Sequence, residues 1–81
     1  MKARVFVTLK KTVLDPQGQT IRSALASRGY HSVAGVRQGK IFEIDLSPGT
    51  DRDSAHKQLE EIAREVLANP VIEDYRVELL D

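Results

Sequence analysis

Eighty-one residues with 12 basic and 12 acidic side chains carry zero formal net charge. That balance argues against a nucleic-acid binder, which needs a basic stripe, and gives no long-range field for steering a charged partner. The absence of cysteine rules out disulfides and thiolate metal sites. A chain of this length is expected to form one domain, residues 1–81, with a thin stability margin that oligomerisation commonly remedies. No apolar run approaches the roughly 20 residues needed to span a bilayer. Met1-Lys2-Ala3-Arg4-Val5 leads straight into strand alternation rather than a signal-peptide pattern, so a cytoplasmic setting is expected, with no membrane and no nucleic acid among the partners.

Residues 3–10 alternate, with Ala3, Val5, Val7 and Leu9 on one face and Arg4, Phe6, Thr8 and Lys10 on the other. This predicts a strand with one buried face. Asp15-Pro16 then opens a helix. The carboxylate suits the orphan N–H groups and positive end of a first turn, and proline fits the first helical position. Ile21, Ala24 and Leu25 give that helix a narrow apolar stripe, and Gly29 is expected to end it in a left-handed cap with Tyr30 folding back towards Leu25. Residues 32–47 read as a hairpin: Val33–Arg37, a turn at Gln38-Gly39, and a return strand Lys40–Ser47.

Thr50 and Asp53 have capping-box spacing ahead of a second helix, whose stripe is Ala55, Leu59, Ile62, Ala63, Val66 and Leu67. Asn69-Pro70 stops it. A last strand follows over 71–80, with Tyr75, Val77 and Leu79 opposite Asp74, Arg76 and Glu78. The predicted class is α+β, a two-layer βαββαβ chain in ferredoxin-like order, with a four-stranded antiparallel sheet and both helices on one face. The uncovered sheet face carries Phe6 and Ile41 among polar residues. Either a partner copy covers them, or they are ordinary scattered apolar residues.

The polar residues give no catalytic constellation. His31 and His56 have no second ligand at metal spacing, and solvated surface histidine explains both. Asp15 is explained by capping, and the Glu73, Asp74, Glu78 group by an exposed strand face. Arg37 and Lys40 flank the predicted turn, where they are either solvated or able to clasp an anion. Gly18 in a first helical turn costs stability relative to alanine, and close packing of another chain is one reason to accept that cost. No Ser-His-acid or paired-carboxylate arrangement is present. No catalytic or metal-binding residue is assigned, and independent catalysis is not expected.

The chain resembles the PurS family, the small subunit of phosphoribosylformylglycinamidine synthase. The resemblance rests on Val5-Phe6-Val7 with Lys10, Val13-Leu14-Asp15-Pro16-Gln17-Gly18, Leu25 with Gly29-Tyr30, Val36-Arg37-Gln38-Gly39-Lys40, and Leu67-Ala68-Asn69-Pro70-Val71-Ile72-Glu73-Asp74-Tyr75. It implies a non-catalytic subunit that forms dimers or larger assemblies and joins a glutaminase subunit and a large synthetase subunit. The complex converts formylglycinamide ribonucleotide, glutamine and ATP into formylglycinamidine ribonucleotide, glutamate, ADP and phosphate. The small subunit is expected to brace its partners and assist ammonia transfer. This chain would hold no cofactor, while ATP and Mg serve the complex. The motif blocks become candidate partner-contact residues: Asp15, Pro16, Gln17, Gly18, Arg37, Lys40, Asn69, Pro70, Glu73, Asp74 and Tyr75. Phe6 and Ile41 are the candidate self-association face. A small-molecule-sensing regulatory domain of the same strand order is the competing reading, and an RNA-binding module and a stand-alone enzyme are weaker ones.

Overall fold

A computed structural model describes residues 1–80. Their element order is β1 (Lys2–Leu9), α1 (Pro16–Ser27), β2 (Gly39–Asp45), α2 (Arg52–Ile62) and β3 (Glu73–Leu80), with a π-helical turn over Ala63–Leu67 extending α2. The sheet has three strands in the order β2-β1-β3, both pairings antiparallel. The N-terminal strand is therefore the centre of the sheet. Val5 faces Phe42 on one side and Val77 on the other.

The alternation of β1 does what its pattern predicts. Ala3, Val5 and Val7 are buried, and Val5 and Val7 form a cluster with Ala63 against which Phe42, Ile44, Leu67, Ala68, Tyr75 and Val77 pack. Ala55 and Leu59 complete the buried apolar set from α2. Asp51, not Thr50, caps α2, accepting from the Ser54 N–H at 3.1 Å. The Thr50 hydroxyl donates instead to the Ser47 carbonyl at 2.6 Å, closing the preceding turn around Gly49, whose φ is 83°.

Two expectations are corrected. Residues 33–37 form no strand, so the sheet has three strands and not four. The cause is competition for backbone groups. The Ala34 carbonyl accepts from Arg22 Nε at 2.9 Å, and the Gln38 N–H donates to Asp15 Oδ2 at 2.7 Å. The segment runs against the start of α1 rather than beside β2, and no tight turn forms at Gln38-Gly39. The second correction concerns the helices. Only α2 and its π-helical extension pack on the sheet, against β3; α1 has no comparable packing on any strand or helix.

The molecule is elongated in consequence, about 51 × 26 × 14 Å, with a radius of gyration of 16.2 Å. A compact chain of this length would measure about 12 Å. The apolar core occupies the sheet and α2. Between residues 10 and 54 the only buried residues are Asp15 and Gly18.

The end of α1 follows its sequence signals closely. Gly29 adopts φ 92°, the Gly29 N–H donates to the Ala26 carbonyl, and the Tyr30 N–H donates to the Leu25 carbonyl, each at 3.0 Å. This is the glycine-terminated cap that the Leu25, Gly29, Tyr30 spacing predicts.

Candidate functional site

The motif blocks converge on one end of the sheet, where the β1–α1 loop, the 34–38 segment and the α2–β3 turn meet. Asp15 is the centre of this region. It caps α1, with Oδ1 accepting from the Gly18 N–H at 2.9 Å, while Oδ2 takes the Gln38 N–H. The residue is 4% exposed. The N–H groups of Gln38 and then Gly18 hold its carboxyl below the usual carboxylate range; burial pushes the other way, and the Arg37 charge adds a smaller lowering effect.

The sign of the pH effect follows. A depressed folded value means that the stabilisation is intact above the unfolded value, about pH 4, and is lost as pH falls through the lower folded value. A carboxyl chemical-shift titration should give Asp15 a midpoint below the ordinary aspartate value of about 3.9. A midpoint at or above that value would contradict these two hydrogen bonds.

Arg37 continues the network. Its Nη2 donates to the Lys10 carbonyl at 2.7 Å and the Val13 carbonyl at 2.8 Å. The guanidinium that looks available in the sequence thus ties down its own chain's β1–α1 loop. Gly18 is explained in the same way. A Cβ built there would lie 2.1 Å from the Val36 carbonyl oxygen, so the close approach is made by this chain itself. Gly39 repeats the device on the sheet side, where a Cβ would lie 2.7 Å from Thr8 Cγ2 and 2.8 Å from the Val7 carbonyl oxygen.

The Asn69–Tyr75 block is also largely self-satisfied. The Asn69 N–H donates to Glu73 Oε1 at 2.7 Å, and Asn69 Oδ1 accepts from the Val71 N–H at 3.0 Å. The Asn69 carbonyl accepts from the N–H groups of Ile72 and Glu73. Asp74 pairs with Lys10 Nζ at 3.0 Å, and Tyr75 packs half-buried against the core. Pro70 and Val71 are left outermost, Val71 being 79% exposed. Pro16, Gln17 and Lys40 are exposed, Lys40 lying 5.6 Å from the Phe42 ring centroid. A cleft of about 410 Å³ opens between these elements, lined in part by Val7, Leu9, Asp15, Gln17, Lys40 and Glu73.

On the outer sheet face, Phe6 lies opposite both Ile41 and Arg76. The Arg76 guanidinium stacks on the Phe6 ring, 4.1 Å from its centroid, so this chain itself covers part of that ring. Ile41 remains 56% exposed. His56 approaches Glu60 at 3.8 Å, and among the described residues no group of three or more His, Asp or Glu side chains is placed to hold a metal. No described helix is long and apolar enough to cross a membrane.

Sequence reasoning passed over three residues that shape this region: Arg22, Gln38 through its N–H, and Arg76. The Phe6–Arg76 pair was within reach once β3 was assigned next to β1, because register puts aromatic and cation opposite. Arg22 donates to the Ala34 carbonyl and Gln38 gives its own N–H to Asp15; both backbone groups lie in a segment of no regular structure, and periodicity carries no signal for that.

The region defines a class: a small α+β chain in which Asp15, Arg37 and Glu73 are spent on its own backbone and shaped, partly apolar surfaces are left outside. A family model described as PurS, phosphoribosylformylglycinamidine (FGAM) synthase, matches residues 2–81. The phosphoribosylformylglycinamidine synthase subunit PurS of Bacillus subtilis is 45% identical over 78 residues, covering 96% of this chain and 90% of the relative. The crystal structure of Methanocaldococcus jannaschii PurS, one of the subunits of formylglycinamide ribonucleotide amidotransferase in the purine biosynthetic pathway, superposes with a TM-score of 0.82 at 38% identity, covering 99% of this chain and 98% of that one. A chain in the structure of PurLQS from Thermotoga maritima reaches a TM-score of 0.86 at 29% identity, covering 98% and 95%. The chain belongs to the PurS family.

Proposed function

We propose that this chain is the PurS subunit of phosphoribosylformylglycinamidine synthase, acting in the cytoplasm in purine biosynthesis as a non-catalytic part. The observation that carries this reading is the match along nearly the whole chain, in sequence and in fold, to relatives that bear that subunit name, one of them a chain of PurLQS. The chemistry is consistent with it. Asp15, Arg37, Asn69 and Glu73 each bond to backbone of this chain, so none forms a nucleophile-and-base pair. On this proposal a glutaminase subunit and an ATP- and Mg-using synthetase subunit carry the reaction, and this chain braces them.

Bracing has a physical purpose. Ammonia released into water near neutral pH is mostly ammonium, which is not a nucleophile, and it diffuses away. Two active sites held together with water excluded between them preserve the reactive form. The surfaces offered for this are the outermost parts of the motif blocks: Pro16 and Gln17, Lys40, and Pro70-Val71. The decisive experiment is reconstitution of glutamine-dependent synthesis with and without this chain. Loss of activity on omission is expected; full activity from the two larger proteins alone would overturn the proposal.

Self-association belongs to the same reading. The α1 stripe finds no core of its own, and Ile21 stays 39% exposed. Covering it with a second copy supplies the apolar burial that the elongated chain lacks. Sedimentation of two single variants distinguishes the faces. Ile21→Asp is expected to shift the equilibrium to the monomer by about tenfold or more, because a carboxylate is costly to bury. The opposite result, dissociation by Ile41→Asp alone, would move the contact to the Phe6–Ile41 face.

The sensor reading keeps one specific observation, the cleft beside Asp15 and Lys40, whose volume falls in the range of ligand sites. A thermal-shift screen against amino acids and nucleotides tests it; no shift from any of them would remove this reading.

A further inference from the structure

The half of the molecule that carries α1 is organised around polar groups. Residues 10–38 contribute no side chain to the apolar core, and their buried members are a carboxylate, Asp15, and a glycine, Gly18. Three chain segments meet there. The β1–α1 loop offers the Lys10 and Val13 carbonyls to Arg37. The first turn of α1 offers the Gly18 N–H to one Asp15 oxygen, and the 34–38 segment offers the Gln38 N–H to the other. Arg22, one turn further along α1, adds a bond to the Ala34 carbonyl. Gly18 lets the Val36 carbonyl sit against the helix where a side chain would push it away.

We propose that Asp15, Gly18 and Arg37 form a polar latch that fixes the pose of α1, and that this latch opens as one cooperative unit separately from the sheet and α2. The argument is one of mutual dependence. Arg37 places the 34–38 segment by gripping the loop before α1; Asp15 places the same segment by gripping its N–H from the start of α1. Each grip holds the partner that the other needs. The apolar core lies elsewhere, in β1, α2 and the π-helical turn, so releasing the latch exposes little of it. Regions held by hydrogen bonds with few apolar contacts are the ones that open below the global unfolding free energy. Asp15 and Arg37 are therefore positioning residues for α1.

Amide hydrogen exchange on the full chain tests this through groups that each substituted residue does not touch. In Arg37→Ala, the Gly18 N–H should exchange faster by about tenfold or more, although the Arg37 side chain does not touch it. In Asp15→Ala, the Val13 N–H, which donates to the Lys10 carbonyl at 2.9 Å, should accelerate comparably, although Asp15 does not touch it. The Val5 and Val7 amides of the central strand should keep their protection in both variants. Unchanged exchange at Gly18 in Arg37→Ala would show independent contacts and end the proposal. Parallel loss of protection at Val5 would show a single folding unit and end it equally. Asp15→Asn supplies the milder variant, keeping one acceptor oxygen and losing the other, and should fall between the wild type and Asp15→Ala. The consequence for assembly rests on the self-association proposed above. A chain that is monomeric in every variant, yet shows the coupled exchange, keeps the latch and loses that reading.

Discussion

Leu59→Ala is expected to remove about 2–5 kcal/mol of stability, the range for truncating a fully buried leucine. Leu59 is 0% exposed and is the largest side chain that α2 buries completely. The apolar core around it is small: Ala3, Val5, Val7, Ala55 and Ala63 are its other fully buried members. Three of these are alanines, which have no volume to spare for filling a void. A chain of this length has a total stability of roughly 4–12 kcal/mol, so this single change takes a large share of it. Urea denaturation gives the measurement, as a lower midpoint with little change in slope. A loss below about 1 kcal/mol would mean that the core is not centred on this helix. Val66→Ala is the control, since Val66 follows α2 in the chain and is 74% exposed.

Gly18→Ala is expected to be the next most damaging change, and for a different reason. The added methyl would lie 2.1 Å from the Val36 carbonyl oxygen and 2.9 Å from its carbon. Both are backbone atoms, so no side-chain rotation relieves the clash. Either α1 or the 34–38 segment must move, and Asp15 and Arg22 hold both in place. Overpacking of this kind costs about 1–3 kcal/mol. Alanine's better helix propensity returns at most about 1 kcal/mol. The net loss should appear as lower helicity and faster exchange at the Gln38 N–H, with the sheet amides little affected. A stabilised Gly18→Ala variant would mean that the helix and the segment are not in close approach.

These two changes also separate what the sequence made legible from what it did not. Strand β1 could be read from Ala3, Val5 and Val7 because alternation is a local pattern with one outcome once a face is buried. The start and end of α1 could be read because Asp15-Pro16 and Gly29-Tyr30 act within a single turn. The apolar stripe of α2 pointed to Leu59. By contrast, Val33–Arg37 looked like a strand because local patterning cannot register that distant groups, Arg22 and Asp15, claim the Ala34 carbonyl and the Gln38 N–H. The bonds of Arg37 within its own chain were not legible, because its charge is visible in the sequence and its carbonyl partners, 24 and 27 positions away, are not. The cap of α2 was misplaced by one residue, since Thr50 and Asp51 both suit the position and only geometry selects between them. The candidate site was legible as a set of motif blocks. What the blocks do for the fold was not, because most of it is bonding between backbone and side chain across loops.

The placement of β1 at the centre of the sheet bears on how the polypeptide is made. Its neighbour β3 begins at Glu73, so Leu9 waits for a partner 64 positions later in the chain. During synthesis on the ribosome, Val5 and Val7 emerge before β3 and have no complete sheet to enter until residues 73–80 follow. Pairing at such long range is slow because the closure of a long loop precedes any gain. The nascent chain therefore carries an apolar strand in search of a neighbour until β3 has emerged, and deleting residues 73–80 would leave that strand with one side permanently open.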